Sequence, residues 1–311
     1  MMRLYCAEEG ILEEVSPDMV RSALWVDLVA PSPEEVDVLH RVFGLALQDV
    51  ADCLDPNERA RVEVEEGYDF LVLRNLAAEE SEGDKIQTVP IGIFVTPKNV
   101  ITVRLGATFT PPELTSDMRR RPRIDTKEDL FFAIVRKVTR DIERRVRPME
   151  RRISSIQETV LKAKSAEVAH AAFALSNALI LLNTALLSNL NAISMLPRSK
   201  QLKMAKDKLD AAEDLENDVA QLYEMTTIYR EIMSNVLNAY ESQISNNLST
   251  VMKTLTTISL ILILPTLLAS LYGMNVPLPF ADDSRAFFLV IGLSAVGVAA
   301  LWVALRLKRI L

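Results

Sequence analysis

The stretch Leu255-Thr256-Thr257-Ile258-Ser259-Leu260-Ile261-Leu262-Ile263-Leu264-Pro265-Thr266-Leu267-Leu268-Ala269-Ser270-Leu271-Tyr272 carries no charge and runs into Gly273-Met274-Asn275. A second uncharged run, Ala286 to Leu305, follows the ten residues Val276 to Arg285. The two runs hold 18 and 20 residues. At about 1.5 Å per residue, helices of that length span roughly 27–30 Å, the hydrocarbon thickness of a bilayer. The chain is therefore expected to end in a transmembrane hairpin. Its first span is placed at 253–275, an external loop at 276–285, the second span at 286–305 and a basic tail at 306–311. Lys253 precedes the first span and Arg306, Lys308 and Arg309 follow the second, whereas the loop holds Asp282, Asp283 and Arg285. Basic flanks stay in the cytoplasm, so both termini are expected inside the cell inner membrane and the loop outside.

The remaining part, about 250 residues, is long enough to bury a real core. The N-terminus lacks the apolar run of a signal peptide, so this part is expected in the cytosol. A net charge of −7 and an isoelectric point near 5.2 argue against nucleic-acid binding, which needs a basic surface. Cys6 and Cys53 form no CxxC pair, and His40 and His170 stand far apart, so a zinc centre is not indicated. No Ser-His-Asp order, phosphate-binding glycine loop or paired catalytic carboxylate emerges, and the chain does not read as an enzyme.

Residues 1–110 read as a mixed α/β domain. Strands are expected at Arg3–Cys6, Leu24–Val29, Arg61–Glu66, Tyr68–Leu76, Gln87–Val95 and Val100–Arg104, from their β-branched and aromatic content. Ser32-Pro33-Glu34-Glu35 has the cap, the proline and the acidic first turn of a helix start. A second short helix is expected at Leu47–Leu54. Thr110-Pro111-Pro112 and Arg119 to Arg123 mark a linker, after which residues 111–252 read as a helical stalk. Leu130, Ile134, Val138, Ile142, Val146, Met149, Ile153, Ile156 and Val160 recur at helical spacing, with Pro148 as an interruption. A second long helix covers Ala166–Leu196. Its apolar stretch Ala171–Met195 contains scattered Ser, Thr and Asn and is expected to pack among neighbouring helices, since a third span would move one terminus outside. A third helix starts near Ser199 and could continue into the first span.

Along that span Ser249, Met252, Leu255, Ser259, Ile263, Thr266 and Ser270 recur every three or four residues, a stripe of small hydroxyls and bulky apolar groups. Such a stripe suits helix–helix packing or a pore wall. At its end Gly273 lets the chain leave helical geometry, and Asn275 adds an amide oxygen without charge. Further upstream, Asp207, Asp210, Glu213, Asp214, Glu216 and Asp218 form an acidic run, and Arg140, Arg144, Arg147 and Arg151 a basic helix face. The basic face is expected to pair with acidic helices or lie near headgroups.

Tyr272-Gly273-Met274-Asn275, the upstream Val251-Met252-Lys253, the closing span and the basic C-terminus resemble the CorA family of magnesium channels. The likeness extends to the order of parts: an α+β cytosolic domain, long helices and two C-terminal spans. It implies a funnel-shaped homopentamer in membrane lipid, with the first span of each protomer lining a central pore and Gly273, Met274 and Asn275 ringing its mouth as a selectivity filter. It further implies Leu255 and Ile263 as apolar constrictions, with Ser249, Thr266 and Ser270 facing the ion. On the regulatory side it implies that Asp214, with Asp218 one turn on, holds Mg²⁺ against an acid of the next protomer, Glu79 or Glu80. Two departures stand out. The loop after Asn275 lacks the family's aromatic, glutamate-containing sequence, leaving Asp282 and Asp283 to capture cations, and Asn238 replaces an acidic position of the lower stalk.

The function expected is Mg²⁺ uptake, with Co²⁺ and Ni²⁺ as further ions, driven by the membrane potential and closed by cytosolic Mg²⁺. A potential of 100 mV contributes about 4.6 kcal/mol for a divalent ion, so no ATP motif is needed. The alternative is a Zn²⁺ transporter of the same superfamily, coupled to protons, against which Met274 speaks. The more remote alternative is a membrane-anchored cation sensor.

Overall fold

A computed structural model describes residues 1–77, 86–106, 123–162, 166–274 and 285–307. The chain divides into two compact units, Met1–Leu237 and Asn238–Leu311. The expected linker at 110–123 lies almost wholly outside the described residues.

The first unit is built on a seven-stranded sheet of order β2-β1-β3-β7-β6-β5-β4. Its strands are β1 Met2–Glu8, β2 Ile11–Val15, β3 Trp25–Val29, β4 Arg61–Val64, β5 Asp69–Leu76, β6 Thr88–Val95 and β7 Val100–Arg104. Among the described residues only β3 and β7 pair in parallel. The six expected strands are present with no end shifted by more than two residues, and β2 is an addition. It pairs with β1 through a two-residue turn in which Glu9 (φ 51°) and Gly10 (φ 84°) are both left-handed. That geometry matches the strand twist, and glycine carries it without a Cβ penalty. Glu9 stands where Asn or Asp usually signals such a turn, so the hairpin does not announce itself.

Alternate strand residues feed two cores, as the period of two demands. Val26, Leu28, Phe70, Val72, Phe94, Ile101 and Val103 meet α1 (Pro33–Phe43) and α2 (Leu47–Asp52). The helix start at Ser32 is a capping box: Ser32 Oγ accepts from the Glu35 amide at 3.3 Å, and the Glu35 carboxylate accepts from the Ser32 amide at 2.9 Å. Gly92 of β6 lets α2 approach, because a Cβ there would lie 2.0 Å from Cys53 Sγ.

Trp25, Leu71, Leu73, Ile91, Ile93 and Val100 face the other way, toward α3 (Lys127–Val146), α4 (Met149–Lys162), α5 (Ala166–Ile193) and the early part of α6 (Lys206–Tyr272). The break between α3 and α4 falls at Pro148, as the missing amide hydrogen requires. On this face Arg104 and Asp27 form an ion pair at 2.5 Å, both nearly inaccessible, and Thr102 donates to the same carboxylate at 2.6 Å. Removing one partner would leave a buried charge, so this cluster is structural.

Helix α5 is long and apolar enough to cross a membrane, yet 44% of its apolar window is buried within the first unit. Asn189 shows why it belongs there. Arg74 of β5 lies opposite Pro90 of β6, which has no amide hydrogen, and beyond the end of β4 at Arg61. Its backbone groups therefore point to an open edge. Asn189 fills that edge like a strand residue, accepting from Arg74 N at 2.7 Å and donating to Arg74 O at 2.8 Å. Nearby Asn183 donates to Thr226 and Thr227 and accepts from Arg230, joining α5 to α6. The scattered amides of α5 are docking groups.

Gly92→Ala should destabilise the protein by about 1–3 kcal/mol through overpacking. Thermal unfolding of the purified chain reads the loss, and adding Cys53→Ala should recover part of it. Additive losses would mean that the contact does not matter.

Candidate functional site

In the second unit the C-terminal part of α6 accompanies α7 (Ala286–Leu307). Here the apolar windows of the two helices are 6% and 0% buried, against 44% for α5. Exposed apolar surface on this scale needs lipid or other subunits around it. From Leu255 to Tyr272, Thr257, Ile261, Leu264, Pro265 and Leu268 are the shielded positions of α6. Their spacing defines one face, and α7 comes close to it at Gly297, where a Cβ would lie 2.3 Å from Leu264 Cδ2.

Ser249, Met252, Leu255, Ser259, Ile263, Thr266 and Ser270 are all exposed. At about 100° per residue they lie roughly half a turn away from the face that meets α7. Two of the hydroxyls are already committed as donors: Ser259 Oγ donates to Leu255 O at 3.0 Å and Thr266 Oγ1 to Leu262 O at 2.7 Å. Each keeps acceptor lone pairs for whatever passes outside the helix. Pro265 sits within this stretch without ending the helix and leaves the Ile261 carbonyl without its usual donor. The apolar hollow of about 580 Å³ between Pro265, Tyr272, Phe287 and Ile291 lies on the α7 side.

The helix closes at the tripeptide. The Gly273 amide donates to Ala269 O at 3.0 Å and the Met274 amide to Leu271 O at 3.3 Å, a tightening of the last turn. Gly273 is not left-handed; what a side chain would meet there is the Ala269 carbonyl oxygen, 3.3 Å from a Cβ. The last carbonyls of α6 have no partner further along the helix. Asn275, Asp282 and Asp283 lie outside the described residues.

Asp214 and Asp218 occupy exposed positions one turn apart on α6 in the first unit. They line a cleft of about 1110 Å³ whose opposite wall carries Arg136 and Arg140 of α3 and Arg151 of α4. Burial raises the Asp218 pKa, and Glu143 and Asp214 add to the rise; Arg136 and Arg140 act against it. No group of three or more His, Cys, Asp or Glu able to hold a metal occurs among the described residues. Glu79 and Glu80 lie outside them. His40 is committed locally, its Nδ1 lying 2.8 Å from the Leu45 carbonyl. Of the basic face, Arg147 pairs with Glu143, while Arg140 and Arg151 line the cleft. That these arginines confront the acidic run of the same chain was not visible in sequence, because the two lie some seventy residues apart and meet only when α3 and α6 pack on one sheet face.

Over residues 21–309 the chain matches the family described as CorA-like Mg²⁺ transporter protein. It is 26% identical over 295 residues to the cobalt/magnesium transport protein CorA of Methanocaldococcus jannaschii, covering 93% of this chain and 91% of that one. A cobalt/magnesium transport protein CorA of Thermotoga maritima is 24% identical over 261 residues, covering 81% and 72%. The complete structure of the CorA magnesium transporter from Methanocaldococcus jannaschii superposes with a TM-score of 0.82 at 22% identity, covering 98% of this chain and 97% of that one. The last likeness is one of fold.

Proposed function

The chain belongs to the CorA-like Mg²⁺ transporter family, and we propose that it is a homopentameric channel that admits Mg²⁺, and with it Co²⁺ and Ni²⁺, down the membrane potential. In this reading residues 1–110 and the helices to 252 are cytosolic, both termini lie inside the inner membrane, and the exposed stripe of α6 lines the pore. The observation that carries it is that stripe: hydroxyls and apolar groups on the side of α6 turned away from α7, leading to Gly273-Met274-Asn275.

The chemistry follows from how Mg²⁺ holds water. The ion dehydrates reluctantly, so it travels with a shell whose hydrogens point outward. Such a shell needs acceptors. Ser259 and Thr266 have spent their protons on helix carbonyls and offer oxygen lone pairs. Asn275, repeated in five subunits, offers amide oxygens that grip the shell without stripping it. Rings of Leu255 and Ile263 offer nothing to water, and a narrow apolar ring closes a pore by dewetting. Asp282 and Asp283 of the external loop concentrate cations at the mouth.

Control is assigned to Asp214 and Asp218. Mg²⁺ bridging them to Glu79 or Glu80 of a neighbouring subunit holds the ring closed; when the ion leaves, like charges repel and the assembly loosens. The exposure of both carboxylates, one turn apart on α6, supports this reading.

Two measurements test this reading. In proteoliposomes holding only this protein and an inside-negative potential, Asn275→Ala should lower Mg²⁺ uptake roughly tenfold or more, the scale of losing one or two good hydrogen bonds to the shell. Uptake equal to the parent, or uptake of Zn²⁺ with none of Mg²⁺, contradicts the proposal. Asp214→Ala with Asp218→Ala should conduct at millimolar internal Mg²⁺ that closes the parent. Unchanged closure would remove these residues from control.

A further inference from the structure

In the first unit two walls of opposite charge face each other without touching. Arg136, Arg140 and Arg151 stand on one side of the cleft, with Glu150 and the Arg147-paired Glu143 among them, and Asp214 and Asp218 on the other, with about 1110 Å³ between them. Among the described residues these three arginines have no hydrogen-bond or ion-pair partner, unlike Arg147, which is held by Glu143 at 2.8 Å. Arg136 and Arg140 are moreover half-buried. A guanidinium partly out of water and without a partner is costly. Helices α3, α4 and α6 carry the two walls.

Size and polarity together narrow the occupant. A hydrated Mg²⁺ with six waters takes roughly 200 Å³ at about 30 Å³ per water, far less than the cleft. A small-molecule site of about 300–1,000 Å³ is the nearer comparison. A bare anion would meet the aspartate wall and a bare cation the arginine wall. A ligand that carries both signs satisfies each. We propose that the cleft binds a magnesium–polyphosphate chelate, with the phosphate oxygens on Arg136, Arg140 and Arg151 and the hydrated metal on Asp214 and Asp218.

The donor set suits each half. Guanidinium forks match phosphate oxygens in pairs. Mg²⁺ characteristically takes one or two protein carboxylates and completes its shell with water and phosphate oxygens. A metal at Asp218 would also offset the charge of Glu143, which lines the same cleft. The inference rests on the control assigned to Asp214 and Asp218 only for its effect on conduction: the channel would then respond to chelated as well as free magnesium. Binding itself does not depend on that reading.

Isothermal titration of the purified full-length protein tests it, with magnesium pyrophosphate as the probe and magnesium chloride or metal-free pyrophosphate as the comparisons. The parent should bind the chelate more tightly than either. Arg136→Gln with Arg140→Gln should weaken chelate binding roughly tenfold or more while leaving the response to magnesium chloride unchanged. Arg151→Gln, at an exposed position, gives the same direction without risk to the core. Asp214→Asn with Asp218→Asn should abolish the preference for the chelate over metal-free pyrophosphate. If those aspartate variants still close with magnesium chloride, the control reading fails while arginine-dependent chelate binding stands. A parent that binds no pyrophosphate, as when a second subunit fills the cleft, overturns the proposal, and so do arginine variants that bind as the parent does.

Discussion

A hydroxyl in hydrocarbon must spend its proton or pay for it. Between Leu255 and Tyr272 every polar side chain is a hydroxyl, and each would cost a few kcal/mol if left unpaired in lipid. Ser259 and Thr266 donate to the carbonyl one turn back, which makes them tolerable on an uncharged span and turns them into acceptors toward the outside. The same helix gives its opposite side, around Ile261 and Leu264, to α7. Division of one helix into a side for its neighbour and an outward side of hydroxyls and apolar groups is the constraint on which the proposed pore rests.

The first unit solves a different problem with the same residue types. The polar groups that dock its elements meet specific partners: Asn189 the open edge of β5, Asn183 the hydroxyls of α6, Asp27 Arg104 and Thr102. Against that background the arginines and aspartates of the cleft stand out, because they face one another across a gap. Charge that stabilises the fold is in contact; charge kept apart is available to a ligand.

Much of this was legible from residues alone because local chemistry decided it. Ser32-Pro33 with Glu35 can hardly avoid starting a helix, Pro148 marks a break in one, and uncharged runs of about 20 residues read as spans by length. The stripe on α6 was likewise a matter of counting in threes and fours. What escaped depends on the partner. The β1–β2 turn uses Glu9 in a left-handed conformation, which no propensity favours. That the apolar helix α5 packs among its neighbours was expected, but the strand edge that Asn189 completes, more than a hundred residues away, was not visible. The side of α6 given to α7 needed Gly297 to locate it. The confrontation of Arg136 and Arg140 with Asp218 needed two helices on one sheet face. Of the tripeptide, Gly273 and Met274 lie at a tightened helix end, and the role of Asn275 stays with the proposal.

The most direct test of the divided helix is accessibility around α6 in a chain from which Cys6 and Cys53 have been replaced. Ser259→Cys, Ile263→Cys and Thr266→Cys variants, reconstituted in liposomes, should react with a charged thiol reagent and lose Mg²⁺ uptake as they do. Ile261→Cys, Leu264→Cys and Leu268→Cys variants should stay unmodified and conducting. Equal reactivity on all sides, or the reverse pattern, would contradict a water-filled path along this face.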